Sequence, residues 1–326
     1  MQWRPVNILL SLSWLTIGLG LVGLSWIPAA WAHPIVNLQS PQSFIPDPPR
    51  HQYFIANANG EPGKRDNNGF ISKLNEEGEM IAPRFIQGGT NNVILHSPYG
   101  LAIVDQILYV ADIDTVRGFH VNTGEPALTI SLREYQVHQL TDLIADGAGI
   151  LFVADTEGNT IYRIDPSHTH PVSIYIRDQA LAGPAGLAVH PRSGHLIVTS
   201  RDNGTVLEVN EQGGVTELIS NSFFTGRFRN LSGIDFDRFG NMYVSDLTAG
   251  KVWRIQPDAT MQVIAEFLIS PINLRVDRQK HRILVPYLYA NGAEMNGLEL
   301  PTNLGSRKKK KRTLSDYGLG WLKGKD

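Results

Sequence analysis

Residues 149–165 read Gly149-Ile150-Leu151-Phe152-Val153-Ala154-Asp155-Thr156-Glu157-Gly158-Asn159-Thr160-Ile161-Tyr162-Arg163-Ile164-Asp165. Leu151 to Ala154 is a short apolar run, the pattern of a strand buried on both faces. Asp155 to Asn159 is a turn cluster in which Gly158 and Asn159 tolerate positive φ. Thr160 to Ile164 alternates again, so the stretch predicts a hairpin. The same unit recurs along the chain. Leu108-Tyr109-Val110-Ala111-Asp112, Leu196-Ile197-Val198-Thr199-Ser200 and Met242-Tyr243-Val244-Ser245-Asp246 are close copies. Tyr53-Phe54-Ile55-Ala56-Asn57 and Ile283-Leu284-Val285-Pro286-Tyr287 are weaker ones.

The equivalent positions Asn57, Asp112, Asp155, Ser200, Asp246 and Tyr287 lie 55, 43, 45, 46 and 41 residues apart. That spacing is the period of a four-stranded propeller blade. A second element precedes each copy: Ser97-Pro98-Tyr99-Gly100-Leu101-Ala102, Gly183-Pro184-Ala185-Gly186-Leu187-Ala188, Leu231-Ser232-Gly233-Ile234 and Ser270-Pro271-Ile272-Asn273-Leu274, with Gln139 to Leu143 and Ser40 to Phe44 as degenerate forms. These are the expected innermost strands, where strands converge and a small residue relieves the crowding. One four-stranded sheet cannot bury both faces, whereas six in a ring can. The expected fold is an all-β six-bladed β-propeller with four-stranded antiparallel blades, spanning residues 33–300.

Blade six shows only three strands of its own, roughly Asn273 to Val276, Arg282 to Val285 and Glu294 to Leu300. The segment after His33, with Ile35, Val36 and Leu38, is expected to supply its outer strand and close the ring, removing a free edge. Residues 1–32 contain an uncharged run from Ile8 to Trp26, followed by Ala30-Trp31-Ala32, a small-x-small cleavage pattern. The run is also nearly long enough to stay as a membrane anchor. Either outcome places the body outside the cytoplasm, periplasmic or secreted. Residues 301–326 lack a strand pattern and hold Arg307-Lys308-Lys309-Lys310-Lys311-Arg312, a basic tail that could contact an anionic surface. With formal charge −2 overall and eight basic against two acidic residues in that tail, residues 33–300 carry −9. Export argues against a nucleic-acid partner. The chain has no cysteine, which excludes disulfides, thiolate metal sites and a cysteine nucleophile.

The Gly-Leu-Ala units followed by (Leu/Met)-(Tyr/Phe)-Val-(Ala/Ser)-Asp resemble NHL repeats. Their number and spacing over residues 40–300 are similar to the senescence marker protein/gluconolactonase-like superfamily. The resemblance implies a six-bladed ring. In hydrolytic members it also implies a divalent metal at the channel mouth, held by a first-blade glutamate and by asparagine or aspartate from later turns. The matching positions here are Tyr99, Thr141, Ala185, Ser232 and Ile272, and near Pro41 the chain has Gln42 and Ser43. None is a carboxylate, and only Gln42 carries an amide, so the family's ligand set is not reproduced.

On the face where inner strands begin, the repeats gather Asp142 and Asn273 with Asn57, Asp112, Asp155, Asp246, Arg201 and Tyr287. These are the candidate binding residues. Asp142 and Asn273, from opposite blades, are the metal candidates there, for calcium or magnesium. The simpler reading of Asp112, Asp155 and Asp246 is that each accepts backbone amides in a turn. Neither a Gly-x-Ser-x-Gly elbow nor His-Glu-x-x-His is present. The expected role is binding an unidentified ligand or protein through the loop face, without catalysis. The competing reading is a metal-dependent lactonase or other hydrolase with a rearranged site.

Overall fold

The computed structural model describes residues 34–61, 63–167, 169–220 and 228–299. Blade one comprises β1 (Pro41–Asp47), β2 (Gln52–Asn57), β3 (Phe70–Asn75) and β4 (Met80–Gln87). Blade two comprises β5 (Pro98–Val104), β6 (Ile107–Asp112), β7 (Thr115–His120) and β8 (Pro126–Ser131). Blade three is β9 (Leu140–Ala145), β10 (Leu151–Asp155), β11 (Thr160–Ile164) and β12 (Val172–Arg177). Blade four is β13 (Pro184–Val189), β14 (Leu196–Ser200), β15 (Thr205–Val209) and β16 (Val215–Ile219). Blade five is β17 (Leu231–Phe236), β18 (Met242–Asp246), β19 (Lys251–Ile255) and β20 (Met261–Ala265). Blade six keeps three, β21 (Arg275–Asp277), β22 (Arg282–Tyr287) and β23 (Gly292–Gly297). Each sheet is an antiparallel meander in sequence order.

The reason six sheets hold together is visible in where the apolar side chains go. Strands β6, β14 and β18 are buried on both faces apart from Ile107 at the start of β6, which is why each reads as a continuous apolar run. Six hydrophobic clusters sit between successive blades. Phe54, Ile71 and Ile86 of blade one meet Leu101, Val110 and Phe119 of blade two. The last cluster joins Leu284 and Ala293 of blade six to Phe44, Tyr53, Ile55 and Leu74 of blade one, with Ile35 and Leu38 between them. The ring is therefore closed by burial as well as by pairing.

The N-terminal segment closes blade six as expected, by a shorter contact than a full strand. Ile35 forms one antiparallel bridge with Ala293, each donating its N–H to the other's carbonyl at 2.9 Å, and Leu38 N–H reaches Asn291 O. Side chains reinforce the seam. Tyr53 Oη donates to Asp277 Oδ2 at 2.6 Å, and Arg282 donates to the Glu76 carbonyl at 2.8 Å.

Glu76 itself holds Lys280 Nζ at 2.5 Å and His51 Nδ1 at 3.0 Å. Those two partners, Lys280 first, hold its carboxyl down at about 2, below the ordinary 4.5. A depressed carboxylate contributes stability above its unfolded pKa and loses it as the folded group protonates. The Tm advantage of the wild-type chain over Glu76→Gln is therefore expected to be full above about pH 4.5 and to vanish as pH falls to about 2. A series of thermal melts across that range checks it; an advantage unchanged at the acid end refutes it.

Candidate binding site at the end of the channel

The inner strands begin on one face of the ring, here called upper, and end on the lower one. Five of the inner strands carry a bulge within their first residues, at Pro41/Ser43, Pro98/Leu101, Leu140/Asp142, Pro184/Gly186 and Leu231/Ile234. A bulge adds local twist and re-aims side chains. Just there, the glycines let neighbouring inner strands touch. A Cβ on Gly100 would strike the backbone of Asp142 and Leu143, one on Gly186 the Ser232 carbonyl, and one on Gly233 the backbone of Asn273 and Leu274.

The carboxylates that end the second strands are consumed by the backbone. Asp112 accepts the amides of His96 and Ser97 and Arg117 Nε at 2.6 Å. Asp155 accepts those of His138, Gln139 and Gly158. Asp246 accepts those of Arg229, Asn230 and Ala249. Asn57 plays the same part, its Oδ1 receiving Gln39 N–H at 3.0 Å. All four are at most 1% exposed. They tie the chain crossing that enters each blade to the end of its second strand. Asp155→Ala is expected to lower unfolding free energy by about 2 kcal/mol, because three amides lose a charged acceptor; Asp155→Asn, which keeps one oxygen, costs less. Urea melts decide it, and a neutral alanine variant refutes it.

Tyr287 is also mostly buried, and its hydroxyl donates to Glu294 at 2.9 Å. Arg201 alone of the upper-face candidates is only half-buried, and it is paired with Glu157 and Asp202 at 2.8 Å each. The loop between β2 and β3 is stapled toward blade two: Asn67 Oδ1 accepts Leu95 N–H, and Arg65 reaches Asp114 at 2.6 Å. Burial opposes ionisation of Asp114, but Arg65, Thr115 and Arg133 outweigh it and hold its pKa below the usual value. The leader and the basic tail lie outside the described residues.

Asp142 and Asn273 do meet across the channel, with Asn273 Nδ2 donating to Asp142 Oδ1 at 2.7 Å. Their third partner is a cation already built into the chain. Arg275 Nη2 donates to the same oxygen at 2.5 Å, while its Nη1 bonds Asn273 Oδ1 and the carbonyls of Ile234 and Leu274. The remaining oxygen of Asp142 accepts Leu187 N–H at 2.8 Å, and Oδ1 also takes Leu143 N–H. A divalent cation needs several free oxygens. These residues do not fit one, because a guanidinium and three amides saturate the carboxylate of Asp142. Burial would push the Arg275 guanidinium's pKa down; the attraction of Asp142 more than offsets it and holds the pKa above the ordinary value. Among the described residues no group of three or more histidine, aspartate or glutamate side chains could hold a metal.

Below this ion pair the channel widens into a well of about 680 Å³ on the lower face. Small-molecule sites span roughly 300–1,000 Å³. Its wall is the last turns of the inner strands: Ile45, Leu101, Ile103, Leu143, Leu187, Val189 and Val276. Arg275 is its floor, and its rim carries Arg50, Asp105, Asp146, Gly147 and Arg278. Asp235 repeats the design of Asp142. Its Oδ1 takes Phe236 N–H, its Oδ2 takes Val276 N–H from the next blade, and Arg278 reaches Oδ1 at 2.5 Å. The candidate residues predicted from sequence lie at or near the upper face; the spacious cavity opens on the opposite one. Arg275, Arg278, Asp105 and Asp146 were not among them.

The fold and channel define a six-bladed β-propeller. No family model matches the chain, and no curated protein matches its sequence. Solved structures do match in shape. A protein of unknown function from Bacteroides thetaiotaomicron superposes with TM-score 0.63 at 11% identity, covering 80% of this chain and 70% of its own. A gluconolactonase from Xanthomonas campestris gives 0.61 at 13%, covering 83% and 99%. Virginiamycin B lyase from Staphylococcus aureus gives 0.51 at 13%, covering 82% and 88%. At such identities the likeness is one of fold.

Proposed function

We propose that this chain is an exported binding propeller that holds a small ligand, or a protruding segment of a partner, in the lower well without transforming it. The observation that carries this reading is the lining itself. A deep, mostly apolar well with a few fixed polar groups is what recognition requires. Among the described residues no serine, cysteine, histidine, lysine or tyrosine lines it, so a Ser–His or Cys–His nucleophile–base pair has no members there. The competing lactonase reading takes its support from the gluconolactonase likeness, and its metal would need a carboxylate other than Asp142. On this reading the leader or anchor sets the protein outside the cytoplasm, and the basic tail contacts an anionic surface.

Gly147 offers a clean test. It lines the rim, and a Cβ there meets nothing within 4 Å. Gly147→Trp is therefore expected to fold normally and obstruct the well. In a thermal-shift screen of small molecules, the compounds that raise the Tm of the wild-type chain should fail to do so for Gly147→Trp. Ligands that stabilise both chains equally would place recognition elsewhere, and turnover of a panel of lactones by the wild-type protein would restore the hydrolase.

A further inference from the structure

We propose that the well selects cationic amphiphiles: a protonated amine on an apolar body. This rests on the reading of the well as a binding site and adds the charge of what enters. The argument comes from how the charges around it are spent. Three guanidinium groups line the well, and each is already matched. Arg50 donates to both oxygens of Asp47 at 3.0 and 3.3 Å, and its other nitrogen is held by Asp105 O and Gln106 Oε1. Arg275 is matched by Asp142 and Arg278 by Asp235.

Two carboxylates at the rim have no such partner. Asp105 sits in the turn after β5 and Asp146 in the turn after β9, on adjacent blades. Neither forms an ion pair among the described residues. Asp146 uses one oxygen, Oδ1, to hold the amides of Ala148 and Ile150; among the described residues its second oxygen has no hydrogen bond. The rim is thus left with surplus negative charge above an apolar wall, on a ring that carries −9 over residues 33–300. A cation approaching such a mouth is steered in, and an apolar body behind the ammonium displaces water from Leu101, Leu143 and Leu187. A carboxylate ligand would meet repulsion at the rim and would have to break an existing ion pair to gain a guanidinium.

Three probes with the same apolar body separate the terms: n-octylamine, n-octanol and n-octanoate, titrated calorimetrically at neutral pH and low salt against the full chain. Octylamine is expected to bind about ten-fold tighter than octanol, with octanoate weakest. The advantage should shrink as salt is raised. The double variant Asp105→Asn/Asp146→Asn should erase that ten-fold gap while leaving octanol unchanged. Both replacements suit their backbone: position 105 has φ of 54°, which asparagine tolerates, and an asparagine at 146 keeps the oxygen that closes its turn. Equal affinity for the three probes, or preference for octanoate, overturns the charge assignment and leaves the well as a binding site. Failure of all three to bind overturns both.

Discussion

Arg275→Ala is expected to destabilise the ring by about 3–5 kcal/mol, among the largest effects of any single side-chain truncation here. The change removes the cation paired with Asp142, a fully buried carboxylate. Breaking one half of a buried pair leaves the other half charged and unpaired, and that residual charge accounts for most of the loss. Asn273 loses the Arg275 Nη1 hydrogen bond at the same time, and Ile234 and Leu274 lose a donor to their carbonyls. The control is the double variant Arg275→Met/Asp142→Leu. If uncompensated charge is the cause, the double variant recovers much of the stability, a coupling that a double-mutant cycle reads directly from urea midpoints. Asp142 still bonds Leu187 N–H on the neighbouring blade, so recovery stays incomplete. An Arg275→Ala chain as stable as wild type would show that the pair contributes nothing.

The second large effect is Gly233→Ala, at about 3 kcal/mol, the upper part of the range for overpacking. The added methyl would overlap Leu274 N and the backbone of Asn273. Backbone cannot rotate away as a side-chain tip can, so blade six must shift relative to blade five. That shift would move Asn273 and Arg275, whose side chains reach Asp142 across the channel. Gly194→Ala supplies the contrast. A Cβ there meets nothing, but its φ of 74° makes any side chain strained, so the cost is backbone strain alone. Thermal melts of the two, with near-ultraviolet circular dichroism to follow packing, check the prediction. It fails if Gly233→Ala is the milder of the pair.

Much of this ring was legible because its causes are local and repeated. A strand such as Leu151 to Ala154 is covered on both sides by its neighbours, so it is apolar throughout, and a six-fold recurrence leaves few architectures. Small residues at Gly100, Gly186 and Gly233 follow from converging strands, and Ile35 followed from the missing partner of β23. The meeting of Asp142 with Asn273 was also within reach, because blades three and six face one another. Arg275 lies two residues beyond Asn273, and strand alternation alone carries it to the same channel side. What no spacing announced was the well. Its wall is made of the final residues of inner strands, which look like any strand ends, and its rim of turn aspartates such as Asp105 and Asp146, which look like turn formers. Their meaning depends on which arginines are already matched, and those matches join Asp142 to Arg275 and Asp235 to Arg278 across distant stretches of chain.

The latch at Ile35 has a consequence for how the molecule comes into being. The residues that finish the last wedge precede all six blades in the chain, and their partner Ala293 lies in the last strand, β23. A growing polypeptide therefore carries an unmatched flank at each end of the partial assembly until β23 has been made. Bringing the ends together late makes completion slow and leaves sticky edges bare in the meantime. A holding factor that shields Leu38 and Phe44 from neighbours would shorten that hazard, and a chain truncated before β23 would never be rid of it.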